Sequence, residues 1–203
     1  DLQIMEKKKV LIFGHSLVHW QGKYYSSNLK LNSNEFIINF RGVRGANLFW
    51  KPSDNKRFQK KSMARYLCDA VKDTKPQIVY LQVGGNDLDR SFVSVEDAVV
   101  ATLSLAEFLL AGYGVEKVCI GHAFHQRLKS KLPSYNIRAR KYNALLTKKV
   151  TLLSNISAIS NRGFALASQA NYRKDGIHLS NFGISLWGRN LRRTIIFVRD
   201  TIL

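Results

Sequence analysis

The sequence predicts an α/β domain in which a parallel sheet is covered by helices on both faces. Three observations predict it. Five short apolar runs recur along the chain, longer amphipathic stretches separate them, and polar or Gly-rich residues follow the runs. Strand and helix alternating in this way bury a central sheet between two helical layers, joined by right-handed crossovers. At 203 residues and 45% apolar content, the chain suits one domain with a full core. Residues 1–203 are therefore read as a single unit, whether mature or excised from a longer protein. No internal repeat, low-complexity tract or Pro/Gly-rich linker divides it.

The elements follow in order. Lys9 to Phe13 (KVLIF) reads as a buried strand, Glu35 to Phe40 (EFIINF) as a second and Gln77 to Val83 (QIVYLQV) as a third. Val115 to Ile120 (VEKVCI) and Gly163 to Ala167 (GFALA) are the fourth and fifth. Between them, Arg57 to Lys72 carries Met63, Ala64, Leu67 and Val71 at helical spacing. Ser94 to Ala111 opens with a capping Ser and an acidic first turn. Ser134 to Leu153 sets Tyr135, Ala139, Tyr142, Leu146 and Val150 along one side, and Ser180 to Leu203 is the last helical stretch.

In an open parallel sheet, ligands bind beyond the carboxyl ends of the strands. After the first strand comes Gly14-His15-Ser16-Leu17, and after the second Arg41-Gly42-Val43-Arg44-Gly45-Ala46-Asn47. Gly84-Gly85-Asn86-Asp87 follows the third strand and Gly121-His122-Ala123-Phe124-His125 the fourth. Asp175-Gly176-Ile177-His178 precedes the last helix. Each motif alone is weak, and a Ser after a strand is usually a polar turn residue. Together and in this order they supply what acyl transfer needs: a nucleophile (Ser16), a base (His178) and an acid to orient the base (Asp175). The backbone N–H groups of Ser16 and Gly45 and the side-chain amide of Asn86 are candidate donors to an oxyanion. Asp87 reads as the cap of the segment that follows it.

The four blocks GHSL, RGVRGAN, GGNDL and DGIHLS resemble those of the SGNH (GDSL-type) hydrolase superfamily, over Lys9 to about Leu191. The resemblance implies a flavodoxin-like sheet of strand order 2-1-3-4-5 and ester hydrolysis without a metal. By position it makes Ser16 the nucleophile, Gly45 and Asn86 oxyanion donors, and Asp175 and His178 the rest of a triad. The runs IVYLQVGGNDL, YNIRARKYNALL and DGIHLSNFGISLWGRNLRRTI look closest to SGNH domains encoded by animal mobile elements. One departure stands out, because the family usually has Asp where this chain has His15. That position generally supports the active-site turn, so His15 is expected to tune the turn without being the base. The GxSxG elbow of another hydrolase fold is absent, since Val18 stands at its second Gly.

Around this site, His15, Arg44, His122 and His125 are candidate pocket residues, and Arg44 would favour an anionic substrate. His122 and His125 form an HxxH pair, but no further ligands stand at metal-binding spacing. No metal or cofactor is expected. The aromatics Trp20, Tyr24, Tyr25, Phe49 and Trp50 read mostly as core, with some free to wall a pocket.

Charge is the strongest bulk feature. Thirty-two Lys and Arg against fourteen Asp and Glu give +18, and no acid occurs between Lys117 and Lys174. Such a field attracts polyanions, either nucleic acid or an anionic membrane surface. Arg127, Lys129, Lys131, Arg138, Arg140 and Lys141 are the candidate contacts. A binding module with incidental turnover is thus the alternative to a short-acyl (acetyl-type) esterase. No apolar run is long enough to span a membrane and no signal peptide is evident. Cys68 and Cys119 lie in apolar contexts and read as buried free thiols of an intracellular protein.

Overall fold

A computed structural model describes residues 6–25, 27–51, 60–124, 128–164 and 168–201. Five parallel strands form one sheet: β1 (Lys8–Gly14), β2 (Phe36–Gly42), β3 (Ile78–Gln82), β4 (Lys117–Gly121) and β5 (Ile156–Ile159). Their order is β2-β1-β3-β4-β5, the flavodoxin-like arrangement. The helices are α1 (Ser16–Tyr24), α2 (Met63–Thr74), α3 (Val95–Gly112), α4 (Tyr135–Val150) and α5 (Asn181–Arg199).

Side-chain alternation along the strands separates two cores. Leu11 and Phe13 of β1, with Val79 and Leu81 of β3, pack against α2, α3 and α4. Val10, Ile12, Ile78 and Tyr80 face the other way, onto α1 and α5, where Trp187 is fully buried. The central strands are buried on both faces, as a parallel sheet requires. Among the described residues no helix is long and apolar enough to cross a membrane.

Helix starts follow their caps. The Ser62, Ser94 and Ser180 hydroxyls accept from Arg65, Asp97 and Gly183 N–H respectively, so α2, α3 and α5 begin just after a Ser. Helix α2 therefore starts at Met63, later than the expected Arg57; residues 52–59 lie outside the described set.

The fifth strand is a correction. It is Ile156–Ile159, not Gly163–Ala167. Helix α4 stops at Val150 and Leu153 N–H closes a turn onto the Val150 carbonyl, which frees the next residues to extend. Only Ile156 of β5 is fully buried, so this edge strand has little apolar contrast to betray it. Gly163 has φ +85°, outside strand conformation. Phe164 leaves the chain sideways to pack edge-on against Phe124, and 165–167 lie outside the described residues. Cys119 is buried and its thiol is pushed up to about 12 by desolvation, whereas Cys68 is only half-buried, against expectation.

Candidate active site

The site stands on the rim formed by the carboxyl ends of β1, β2 and β3. Strand β1 ends at Gly14 and α1 begins two residues later, so Ser16 is the first residue of a helix. A Cβ on Gly14 would lie 2.2 Å from the Gln82 carbonyl oxygen, so the tight passage from β1 into this turn needs glycine. The helix itself was missed in the sequence, because Leu17, Val18 and Gln21 are its only buried positions and His15 is an unconventional cap. The buried His15 ring accepts from Leu17 N–H through Nδ1 at 3.5 Å, which is a cap's role performed by imidazole.

Asp175 opens a turn before α5. Its Oδ1 accepts from the N–H groups of Ile177 and His178 at 2.9 and 2.8 Å. Its Oδ2 lies 2.8 Å from His178 Nδ1. Burial alone would raise the Asp175 carboxyl, but the His178 ring and these two amides outweigh it and hold it below the ordinary carboxylate value. An ionised carboxylate at that distance accepts a hydrogen bond from Nδ1–H, which leaves Nε2 as the acceptor. Nε2 points at Ser16 Oγ, 3.2 Å away. The structure thus brings Ser16, His178 and Asp175 into one hydrogen-bonded line.

The turn is braced on both sides. Arg173 N–H donates to the His178 carbonyl at 2.8 Å, and Leu128 and Lys129 N–H groups donate to the Gly176 carbonyl at 3.0 and 3.1 Å. Asp89 accepts from Lys131 and Leu132 N–H groups and so anchors the same 128–132 segment.

The oxyanion candidates come from two other loops. Gly45 has φ +67°, a conformation in which glycine is favoured, and open space lies where its Cβ would be. Neither its N–H nor that of Ser16 bonds to another described residue. The Asn86 amide donates one hydrogen to the Ala46 carbonyl at 2.8 Å, which leaves its second hydrogen available and ties the two loops together. Asp87 does more than the sequence suggested. Buried to 1% exposure, its carboxylate accepts from Leu48 and Phe49 N–H groups at 3.0 and 3.1 Å and clamps the Gly45 loop.

Other expected residues fall elsewhere. The His122 ring pairs with Thr147 of α4 at 3.0 Å, and His125 and Arg127 lie outside the described residues. The Arg138 guanidinium is occupied by the backbone carbonyls of Leu88, Arg90 and Val93, and Lys141 pairs with Glu96 at 2.7 Å. Lys129, Lys131 and Arg140 are exposed. The aromatics are less buried than expected. Trp20 is half-buried and Tyr24 half-exposed on α1, where the Arg44 guanidinium carbon lies over the Trp20 ring, 5.1 Å from its centre. A groove of about 560 Å³ opens along β2 between His19 and Gly22 of α1 and Tyr66, Asp69 and Asp73 of α2. The triad lies outside it, and nothing lining it forms a nucleophile–base pair.

No family model matches this sequence, and no curated protein does. Solved structures share its fold at low identity. A GDSL-like lipase from Bacteroides thetaiotaomicron aligns over 94% of this chain and 89% of its own, with TM-score 0.70 and 17% identity. A carbohydrate acetylesterase from Sinorhizobium meliloti aligns over 95% and 100%, with TM-score 0.74 and 16% identity. A member of the lipolytic G-D-S-L family from Veillonella parvula aligns over 93% and 98%, with TM-score 0.67 and 14% identity. The three-layer fold is therefore one in which lipases and esterases are built.

Proposed function

We propose that this protein is a serine esterase of the SGNH type, cleaving short-acyl esters such as acetates. The observation that carries the reading is the Ser16–His178–Asp175 line, at 3.2 and 2.8 Å, on the rim where this topology places ligands. The order of the four sequence blocks and the fold neighbours support it. The acyl preference draws on the neighbour described as a carbohydrate acetylesterase.

His178 Nε2 takes the Ser16 hydroxyl proton as Oγ bonds to the ester carbonyl carbon, and the carbonyl electron pair moves to oxygen. That oxyanion rests on the N–H groups of Ser16 and Gly45 and on Asn86 Nδ2, with the positive end of the α1 dipole beside it. The C–O bond to the alcohol breaks and His178 gives the proton to the leaving oxygen. Water, deprotonated by His178, then adds to the acyl carbon; the bond to Ser16 Oγ breaks, His178 returns the proton to Oγ, and the acid leaves. Asp175 stays ionised throughout and steadies the imidazolium. The test compares hydrolysis of p-nitrophenyl acetate by wild type and Ser16→Ala. The substitution should lower kcat by at least about 10⁴-fold; equal rates would remove the assignment.

A second reading rests on the charge of +18. Here the fold is a basic module, derived from a mobile element, that holds nucleic acid or anionic lipid while turnover is incidental. Exposed Arg140, Lys148 and Lys149 on α4 and Arg189, Arg192 and Arg193 on α5 favour it. It requires binding to single-stranded nucleic acid, or to vesicles of anionic lipid, that weakens steeply with salt. Absence of both at low salt would exclude it.

A further inference from the structure

The three segments that build the triad and the oxyanion loop also build a second cluster. Trp20 lies four residues after Ser16 on α1 and therefore on the same helix face, with Tyr24 a turn further. Their rings stack with centres 5.4 Å apart. Arg44, next to Gly45, and Arg173, whose N–H bonds the His178 carbonyl, both place guanidinium carbons over Trp20, at 5.1 and 5.0 Å. Arg173 also lies 5.4 Å from the Tyr24 ring centre, and Lys23 joins from α1.

Arg173 is held in place but chemically unfinished. Its Nε donates to the Leu179 carbonyl at 3.1 Å, and it forms no ion pair among the described residues. With Nε spent on that carbonyl, the Arg173 guanidinium retains its terminal N–H fork for a bidentate acceptor. Local charge is felt nearby. His19, whose ring meets Trp20 edge-on at 4.9 Å, is lowered first by burial and then by the Arg44 and Lys23 charges.

We propose that Arg173 and Arg44, set on the Trp20–Tyr24 pair, form a substrate subsite that selects esters carrying an oxyanionic group such as a carboxylate or phosphate. This rests on the esterase reading for its reaction. The subsite itself is an anion site and is measurable without turnover.

The experiment compares kcat/KM within matched ester pairs, each normalised to alkaline hydrolysis. For the acyl half, p-nitrophenyl hydrogen succinate is set against p-nitrophenyl butyrate. For the alcohol half, 4-acetoxybenzoate is set against its methyl ester. The anionic member of one pair should lead by at least about tenfold. The lead should fall toward one in Arg44→Gln and in Arg173→Gln, and in wild type at high salt. Because Arg173 also braces the turn, the within-enzyme ratio, not the absolute rate, is the readout, and Arg44→Gln serves if Arg173→Gln fails to fold. Ratios near one in both pairs, or a lead unmoved by Arg44→Gln and by salt, would overturn the proposal. Should wild type and Ser16→Ala hydrolyse the esters equally, the esterase reading fails alone. Calorimetric binding of benzoate against benzyl alcohol to Ser16→Ala then decides the subsite. Salt-sensitive benzoate binding lost in Arg44→Gln supports it, and equal binding of the two overturns it.

Discussion

The two halves of the site are held by opposite means. The triad half is open: the His178 side chain is 30% exposed and that of Asp175 45%. It depends on one short turn and a handful of backbone bonds. The oxyanion half is anchored from below by Asp87, which is 1% exposed and accepts from two amides of the Gly45 loop. In the proposed esterase a proton relay has to meet substrate and water, which the exposure of these groups allows. Donors to an oxyanion act by being already in position, and in the same reading the buried Asp87 carboxylate serves to hold their loop. The halves should therefore separate experimentally, with rate lost alone in one and rate lost with stability in the other.

The largest effect is expected at His178. His178→Ala should cut kcat by roughly 10⁴–10⁶-fold while the melting temperature stays within about 2 °C, because the half-buried ring bonds to Asp175 and Ser16 and belongs to neither core. A melting loss of many degrees would erase the contrast. Asn86→Ala removes one proposed oxyanion donor and should cost about 10²–10³ in kcat, with KM for p-nitrophenyl acetate nearly unchanged. If KM rose and kcat held, Asn86 would bind substrate and transition state alike.

Asp87→Ala probes the clamp. It leaves two loop amides without their acceptor, which costs about 2–3 kcal/mol and lowers melting by about 5–10 °C. Activity should fall in the same protein, as the Gly45 loop loosens. Normal activity in a less stable Asp87→Ala would show that the clamp serves the fold only.

The smallest effect concerns acid. Asp175 has a folded pKa below its ordinary 3.8. It contributes stability that is present above the unfolded value and is lost as pH falls through the lowered folded value. Exposure keeps this contribution below about 1 kcal/mol. Chemical denaturation of wild type and Asp175→Asn should therefore differ slightly near neutrality and converge below pH 3.8. A gap that widened toward acid would reverse the sign.

The same contrast explains what the sequence could convey. Strands such as Lys8–Gly14 and Ile78–Gln82 are buried on both faces, so their unbroken apolar runs were plain. Edge strand Ile156–Ile159, with Ser and Ala between its isoleucines, carried too little contrast and was read as the space after a helix. Ser16, Asp175 and His178 stood out because each sits in a turn motif of few polar residues. Asp87 looked like a local cap, since nothing in the letters shows that its carboxylate reaches a loop 38 and 39 residues away. The Trp20–Arg44–Arg173 cluster was hidden for the same reason. Helix α1, which sets Trp20 on the face of Ser16, was not read from the letters, and only the folded turn brings Arg173 onto the Trp20 ring.

Ser16 and His178 meet across 162 residues of chain. At ~5–20 residues per second, a ribosome makes the proposed base some 10–30 s after the proposed nucleophile. In the esterase reading, Ser16 is an ordinary alcohol throughout that interval, even on an emerging chain that has already folded β1 to β3. Helix α5, which follows the base directly, also supplies Trp187 and Leu191 to one of the two cores. In the esterase reading, reactivity and the closing of that core therefore arrive in the same late stretch of synthesis.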